Sequence, residues 1–233
     1  MSAKRLPGKP LLKINGLSII SQVAKKAEEA NIGEVIVATE DQEIVDDVKK
    51  NGFNSILTGN QHKTGTDRIY EALKKSNISD VDLIMNLQGD EPAIEIEDIK
   101  NLNDKMLKNH SILGTLAAKI KDNNNLKNEN IVKVITEKSL EEYPFPKAVS
   151  FLRKSEQTDN IYHHIGIYCY SKDCLEKFVK LDQSKNEIEN RLEQLRALDN
   201  NIDINVSLAK SSPIGVDTEE DYLALKKLME YKN

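Results

Sequence analysis

Apolar residues recur at helical spacing in LSIISQVAKKAEEANIG, where Ile19, Ile20, Val23, Ala24 and Ala27 share one face, and this predicts an amphipathic helix closed by Gly33. The run EVIVAT that follows is short, apolar and β-branched, as buried parallel strands are. The step repeats: EDQEIVDDVKKNG is patterned as a helix, FNSIL as a strand, TDRIYEALKKSN as a helix and VDLIMNL as a strand. Helices alternating with short apolar strands predict an α/β fold with a mostly parallel sheet covered on both faces.

From residue 112 the rhythm changes. ILGTLAAKI, NIVKVIT, AVSFL and YHHIGIYCY read as strands with little helix between them, and KDNNNLKNEN has the composition of a solvated loop. This cluster predicts an antiparallel extension of the sheet. Helical spacing returns at Ile188, Leu192, Leu195 and Leu198, IDINVSLA reads as a further strand, and TEEDYLALKKLMEY as a closing helix capped by Thr218. No repeat, linker or domain break interrupts residues 1–233, so a single domain is expected.

Composition narrows the classes. The chain has 233 residues, enough to bury a sizeable core, and its net charge of -5 lacks the basic excess on which non-specific nucleic-acid binding depends. An anionic ligand must then be met by a local basic site. There is no run of about 18 apolar residues and no apolar leader core, so neither membrane insertion nor secretion is indicated and a cytoplasmic location is expected. Cys169 and Cys174 have no matching His/Cys cluster at zinc-ligand spacing and read as reduced packing residues.

Candidate chemistry sits in a few polar segments. In MSAKRLPGKPLLKING, Lys4, Arg5, Pro7, Gly8, Lys9 and Pro10 have the make-up of a phosphate-handling loop, a kind that usually follows a buried strand; here only Met1 precedes it. In LIMNLQGDEP an apolar strand runs straight into Gln88, Gly89, Asp90 and Glu91, which puts carboxylates where open α/β sheets bind ligands. An acidic pair there suits Mg2+, which takes few protein carboxylates and completes its shell with water and phosphate oxygens; a Gly-Asp turn that simply stops the strand suits the residues equally. Asp217 stands in the ordinary place of a helix cap, yet Thr218 can cap instead and leave Asp217 to share a metal ion with Asp90.

Thr64, Gly65 and Thr66 form a polar turn that opens a helix, and a cation in its first turn, Arg68, tilts an ordinary cap toward a ligand-facing role. In IYHHIGIYCY a period of two gathers Tyr162, His164, Gly166, Tyr168 and Tyr170 on one face and His163, Ile165, Ile167 and Cys169 on the other. The first face is either a hydroxyl-rich substrate wall or an exposed or interface surface. Glu193, Gln194 and Arg196 flank the leucine stripe of NRLEQLRAL, and Arg153 follows SFL; by themselves these read as solvated charges.

Taken in order, SAKRLPGKPLLKING, HKTGTDR, LQGDEP, NENIVKVI, HHIGIYCY, LEQLR and GVDTEED form the motif series of one family nearly end to end. The chain resembles the 3-deoxy-manno-octulosonate (Kdo) cytidylyltransferases, also called CMP-Kdo synthetases. The resemblance implies a Rossmann-like nucleotide-diphospho-sugar transferase fold and transfer of CMP from CTP to the anomeric hydroxyl of Kdo, releasing pyrophosphate, for lipopolysaccharide biosynthesis. It implies that Arg5 and Lys9 hold the triphosphate, that Asp90 and Asp217 ligate Mg2+, and that Gln88, Thr64, Gly65 and Arg68 form the cytidine pocket. Arg153, His164, Tyr168, Glu193 and Gln194 would line the sugar site, with Arg153 paired to the sugar's carboxylate as a bidentate fork. A homodimer is implied as well, with residues 112–170 as the place for its interface.

The chemistry suits this inventory, because in-line attack at the α-phosphorus brings an anionic sugar acid to a polyanionic nucleotide and calls for charge neutralisation and alignment. Two departures shape the expectations. Family members place an apolar strand and a Pro-Ala-Arg segment before the basic loop, so the natural chain is expected to extend upstream by one short strand. The segment RKSEQTDN differs from the family's pattern around Arg153, which keeps a related sugar acid as an alternative substrate. A non-catalytic nucleotide-binding remnant is the alternative from another class. No G-x-G-x-x-G follows a strand, which argues against a dinucleotide-binding dehydrogenase.

Overall fold

The computed structural model describes residues 6–212 and 215–230. In chain order it has a 3-10 turn (Lys9–Leu11), β1 (Lys13–Ile14), β2 (Leu17–Ser18), α1 (Ile19–Ala30), β3 (Val37–Thr39), α2 (Gln42–Lys50), β4 (Ser55–Leu57), α3 (Gly65–Lys75) and β5 (Leu83–Asn86). Then come α4 (Ile96–Asn109), β6 (Leu113–Ala118), a 3-10 turn (Asn123–Leu126), β7 (Lys133–Thr136), β8 (Ala148–Leu152), β9 (Ile161–Ser171), α5 (Lys172–Phe178), α6 (Lys185–Asn190), α7 (Leu195–Asp199), β10 (Asn205–Leu208) and α8 (Glu219–Glu230). The described residues form two compact units, one from the ranges 6–79, 87–99 and 215–230, the other from 80–86 and 100–212.

In the first unit Asn15 and Gly16 take left-handed conformations, at φ 51° and 81°, and so make the two-residue turn that pairs β1 with β2. Ile14 and Ile19 are fully buried there with Val216 and Leu225, which anchors the hairpin and the segment before α8 on one apolar cluster. The Ser18 hydroxyl caps α1, whose end falls at Asn31 in the left-handed region, two residues before the expected Gly33. Asparagine's short polar side chain tolerates that conformation. Ala24, Val37, Ile44 and Val48 form a second cluster under α1, α2 and β3, and β3 pairs in parallel with β4.

The second unit is built on a sheet ordered β10-β6-β9-β7-β8, with β5 also on β9. β10 and β6 are parallel, whereas β9 is antiparallel to β5, β6 and β7. The α/β class read from the pattern holds, and the antiparallel extension also takes in β5, which the alternation had assigned to the parallel part. The register between β6 and β9 shifts at Thr115/Leu116, opposite the stretch of β9 that holds Gly166, as expected of a glycine inside a strand. The helix expected across Ile188 to Leu198 is two, because a Ser184/Glu187 capping box starts α6 and Arg191 at φ 53° ends it. No helix among the described residues is long and apolar enough to cross a membrane.

Candidate active site

Of the basic loop, Arg5 lies outside the described residues. Gly8, at φ 73°, turns the chain into the first 3-10 turn, and Pro10 continues it, so that Lys9 sits at its head. Its ammonium donates to Asp90 Oδ2 at 2.5 Å, to the Val216 carbonyl at 2.8 Å and to Asp217 Oδ1 at 3.2 Å. The backbone joins the two acidic segments as well, since Val216 N–H donates to the Asp90 carbonyl at 3.0 Å. Thr218 caps α8, accepting from Asp221 N–H at 3.1 Å, which leaves the Asp217 carboxylate available to Lys9. Two aspartates 127 positions apart in sequence thus meet on one cation.

Electrostatics explains the arrangement. Burial disfavours the Lys9 ammonium, but the bonds and charges of Asp90 and Asp217 outweigh it and hold its pKa above the ordinary lysine value. Beside them Glu91 carries a buried Oε2 with no hydrogen-bond partner among the described residues. Burial first, then the like charges of Asp90 and Asp217, push its pKa up to about 8 against the pull of Lys9. Glu91 is therefore mostly protonated at neutral pH and holds no charge for Lys9 to answer. Gly89 brings this turn close to α1: a Cβ there would lie 2.7 Å from Ile20 Cδ1, so a larger residue has to push that side chain aside.

No group of three His, Cys, Asp or Glu side chains spaced for a metal occurs among the described residues. A pair is enough for Mg2+. The Lys9 ammonium marks a cation position between two carboxylates and a carbonyl, a set of hard oxygen donors that fits this ion.

In the same unit Thr64 caps α3, accepting from Asp67 N–H at 3.2 Å, with Gly65 as the first helical residue. Arg68 is held by neighbours that the sequence reading did not include: Nη2 meets Glu40 Oε2 at 2.5 Å, and Nη1 donates to Thr58 Oγ1 at 2.7 Å and to the Gly59 carbonyl at 3.2 Å. Glu40 supplies the charge that makes a cation acceptable at a helix start. Glu71 accepts from Gly59 N–H and contacts Lys75 and His62, and these bonds, Lys75 foremost, lower its pKa to about 2. The 58–64 loop is thereby pinned from α3. Gln88 is half-buried at the start of the acidic turn.

In the second unit His164 and Tyr168 do lie on one face of β9, as their spacing predicts, with ring centroids 5.5 Å apart and Tyr170 continuing the row. The face is covered, however, not an open wall: His164 is 7% exposed and Tyr168 9%. The Thr115 hydroxyl donates to the Ile167 carbonyl at 2.6 Å and so accepts from His164 Nε2 at 3.0 Å. Burial, then the nearby His163, lowers the His164 pKa to about 3, so the imidazole is neutral. Gln194 is buried at the start of α7, and Glu193 precedes it.

Arg153 is committed to backbone. Its Nε donates to the Asn190 carbonyl at 2.8 Å, Nη1 to Glu129 at 3.0 Å and Nη2 to Arg191 at 2.9 Å. Three of five donors are used, which ties the loop before β7 to the end of α6. Arg196, read as a solvated charge, is instead 2% exposed and bonded through Nε and Nη2 to Glu187 at 2.8 and 2.6 Å.

Fold and site define a nucleotidyltransferase. A family model described as Cytidylyltransferase matches residues 1–204, and the structure of apo-UDP-glucose pyrophosphorylase shares the fold at TM-score 0.70 and 15% identity, over 99% of this chain and 95% of that one. A structure of CMP:2-keto-3-deoxy-manno-octonic acid synthetase complexed with CTP matches at TM-score 0.88 and 32% identity, again over 99% and 95%. The 3-deoxy-manno-octulosonate cytidylyltransferase of Agrobacterium fabrum is 38% identical over 233 residues, covering 98% of this chain and 92% of the relative. That of Thermodesulfovibrio yellowstonii is 39% identical over 238 residues, covering 97% and 93%. The chain belongs to the 3-deoxy-manno-octulosonate cytidylyltransferase family.

Proposed function

We propose that the protein transfers CMP from CTP to the anomeric hydroxyl of Kdo and releases pyrophosphate, a step of lipopolysaccharide biosynthesis. The observation that carries this reading is the meeting of Asp90 and Asp217 on the Lys9 ammonium, which supports a cation position beside a basic loop. Asp90 and Asp217 would hold Mg2+, which supplies charge neutralisation and lowers the pKa of the attacking hydroxyl. Lys9 and Arg5 would hold the triphosphate. Thr64, Gly65, Arg68 and Gln88 serve the cytidine, and the clamp of Arg68 on Glu40 and Thr58 keeps that pocket rigid.

Arg153, His164, Tyr168, Glu193 and Gln194 serve the sugar acid. His164, neutral through burial, acts as a hydrogen-bonding group rather than a cation. A homodimer through residues 112–170 in the cytoplasm belongs to the same reading; Val149, 59% exposed on the terminal strand β8, supports it. The altered loop after Arg153 favours testing the sugar directly. Pyrophosphate release from CTP and Mg2+ is expected with Kdo and to be weaker with a nine-carbon sialic acid; the reverse preference would replace Kdo with a related sugar acid.

A further inference from the structure

We propose that Lys133 is a positioning residue for the sugar acid's carboxylate, acting through Arg153; this deepens the reading above and rests on it. Lys133 begins β7, opposite Leu152 on β8 and His163 on β9, and its side chain is wholly buried. Its ammonium spends all three donors on backbone carbonyls, those of Asn128, Ile131 and Arg153, each at 2.7 Å. No carboxylate pairs with it among the described residues. Burial, then the Arg153 charge, holds its pKa below the ordinary lysine value.

A buried charge satisfied by carbonyls alone is costly, and a neutral amide could bridge two of the same carbonyls for less. The charge therefore has a use. One bond ends on the Arg153 carbonyl, so Lys133 fixes the backbone from which that guanidinium extends, while Glu129, Asn190 and Arg191 fix the guanidinium itself. Glu129, four positions before Lys133, is taken by Lys154 at 2.5 Å. Two cations are left facing carbonyl dipoles, and two Arg153 N–H groups have no partner among the described residues. An incoming carboxylate meets both needs: its oxygens accept from the two N–H groups, and the paired positive charge is answered.

The test is steady-state kinetics, with the sugar acid varied at saturating CTP and CTP varied at saturating sugar acid, on wild type, Lys133→Gln, Arg153→Ala and the double variant, with melting curves. Lys133→Gln is expected to raise the KM for the sugar acid about tenfold while the KM for CTP moves less than about twofold. The double variant is expected to be no worse for the sugar acid than Arg153→Ala alone. A sugar-acid KM unchanged in Lys133→Gln, or losses that multiply in the double variant, would overturn the proposal. If Lys133→Gln does not fold, Lys133→Arg, which keeps the charge but displaces the head group, is compared on the sugar acid and its carboxamide. Loss of preference for the carboxylate upholds the role, and equal loss on both compounds refutes it. An Arg153→Ala variant with wild-type sugar binding would instead remove the assignment of Arg153 on which the inference stands.

Discussion

At Lys9 a single ammonium answers two carboxylates, and this residue shows how the site is poised. Removing it takes away the ammonium that Asp90 and Asp217 share, which costs Coulomb energy that a divalent ion recovers. Lys9→Met is therefore expected to bind Mn2+ several-fold more tightly than wild type without nucleotide, and CTP more weakly, as read by electron paramagnetic resonance and calorimetry. Equal or weaker Mn2+ binding in the variant would show that Lys9 does not hold the metal position. The sequence carried the residues of this site but not their bonds. Asp90, Asp217 and Lys9 stand in short polar segments after apolar runs, so their types and places were legible. Glu91 was legible as one of an acidic pair but not as a buried carboxyl, and Glu40 and Lys133 were not legible at all, because burial and partnership across the chain decide their roles and no local pattern records either. Arg153 was legible as a cation, but not its engagement with three carbonyls.

At the scale of elements, spacing located most helices and strands and local caps set their ends. The Asn15-Gly16 pair is a strong hairpin signal that lay inside the basic loop, where the cations drew the reading toward phosphate chemistry. α4 escaped notice because IEDIKNLNDKMLKN is polar overall, although Ile99, Leu102 and Met106 form a buried stripe. The region of Ile188 to Leu198 shows the converse error. Its leucines suit one helix, yet the buried Glu187 and Arg196 pair draws α6 and α7 together as separate short helices around Arg191. Such a pair is weak evidence for stability when intact but costly to split. Arg196→Leu is expected to destabilise the fold by about 3–5 kcal/mol in urea unfolding, since it leaves the Glu187 carboxylate buried without its counter-charge. A change under about 1 kcal/mol would mean that water reaches this pair and that it does not organise the two helices.

For the molecule as a whole, each compact unit gathers residues to which the proposed function gives one kind of task. The first brings together Lys9, Asp90, Asp217, Thr64, Arg68 and Gln88, the set assigned to nucleotide and metal; the second holds Arg153, His164, Tyr168, Glu193 and Gln194, the set assigned to the sugar. This division was invisible in a sequence without linker or composition break, because the chain passes between the units at short internal segments and not at one boundary. The central claim is metal-dependent cytidylyl transfer at the aspartate pair, and the direct measurement is pyrophosphate release from CTP and Kdo with Mg2+, for wild type beside Asp90→Asn. Release by wild type that stops when the metal is chelated and falls about a hundredfold or more in Asp90→Asn is the predicted result. No release by wild type with any sugar acid, or undiminished release in Asp90→Asn, would contradict the account.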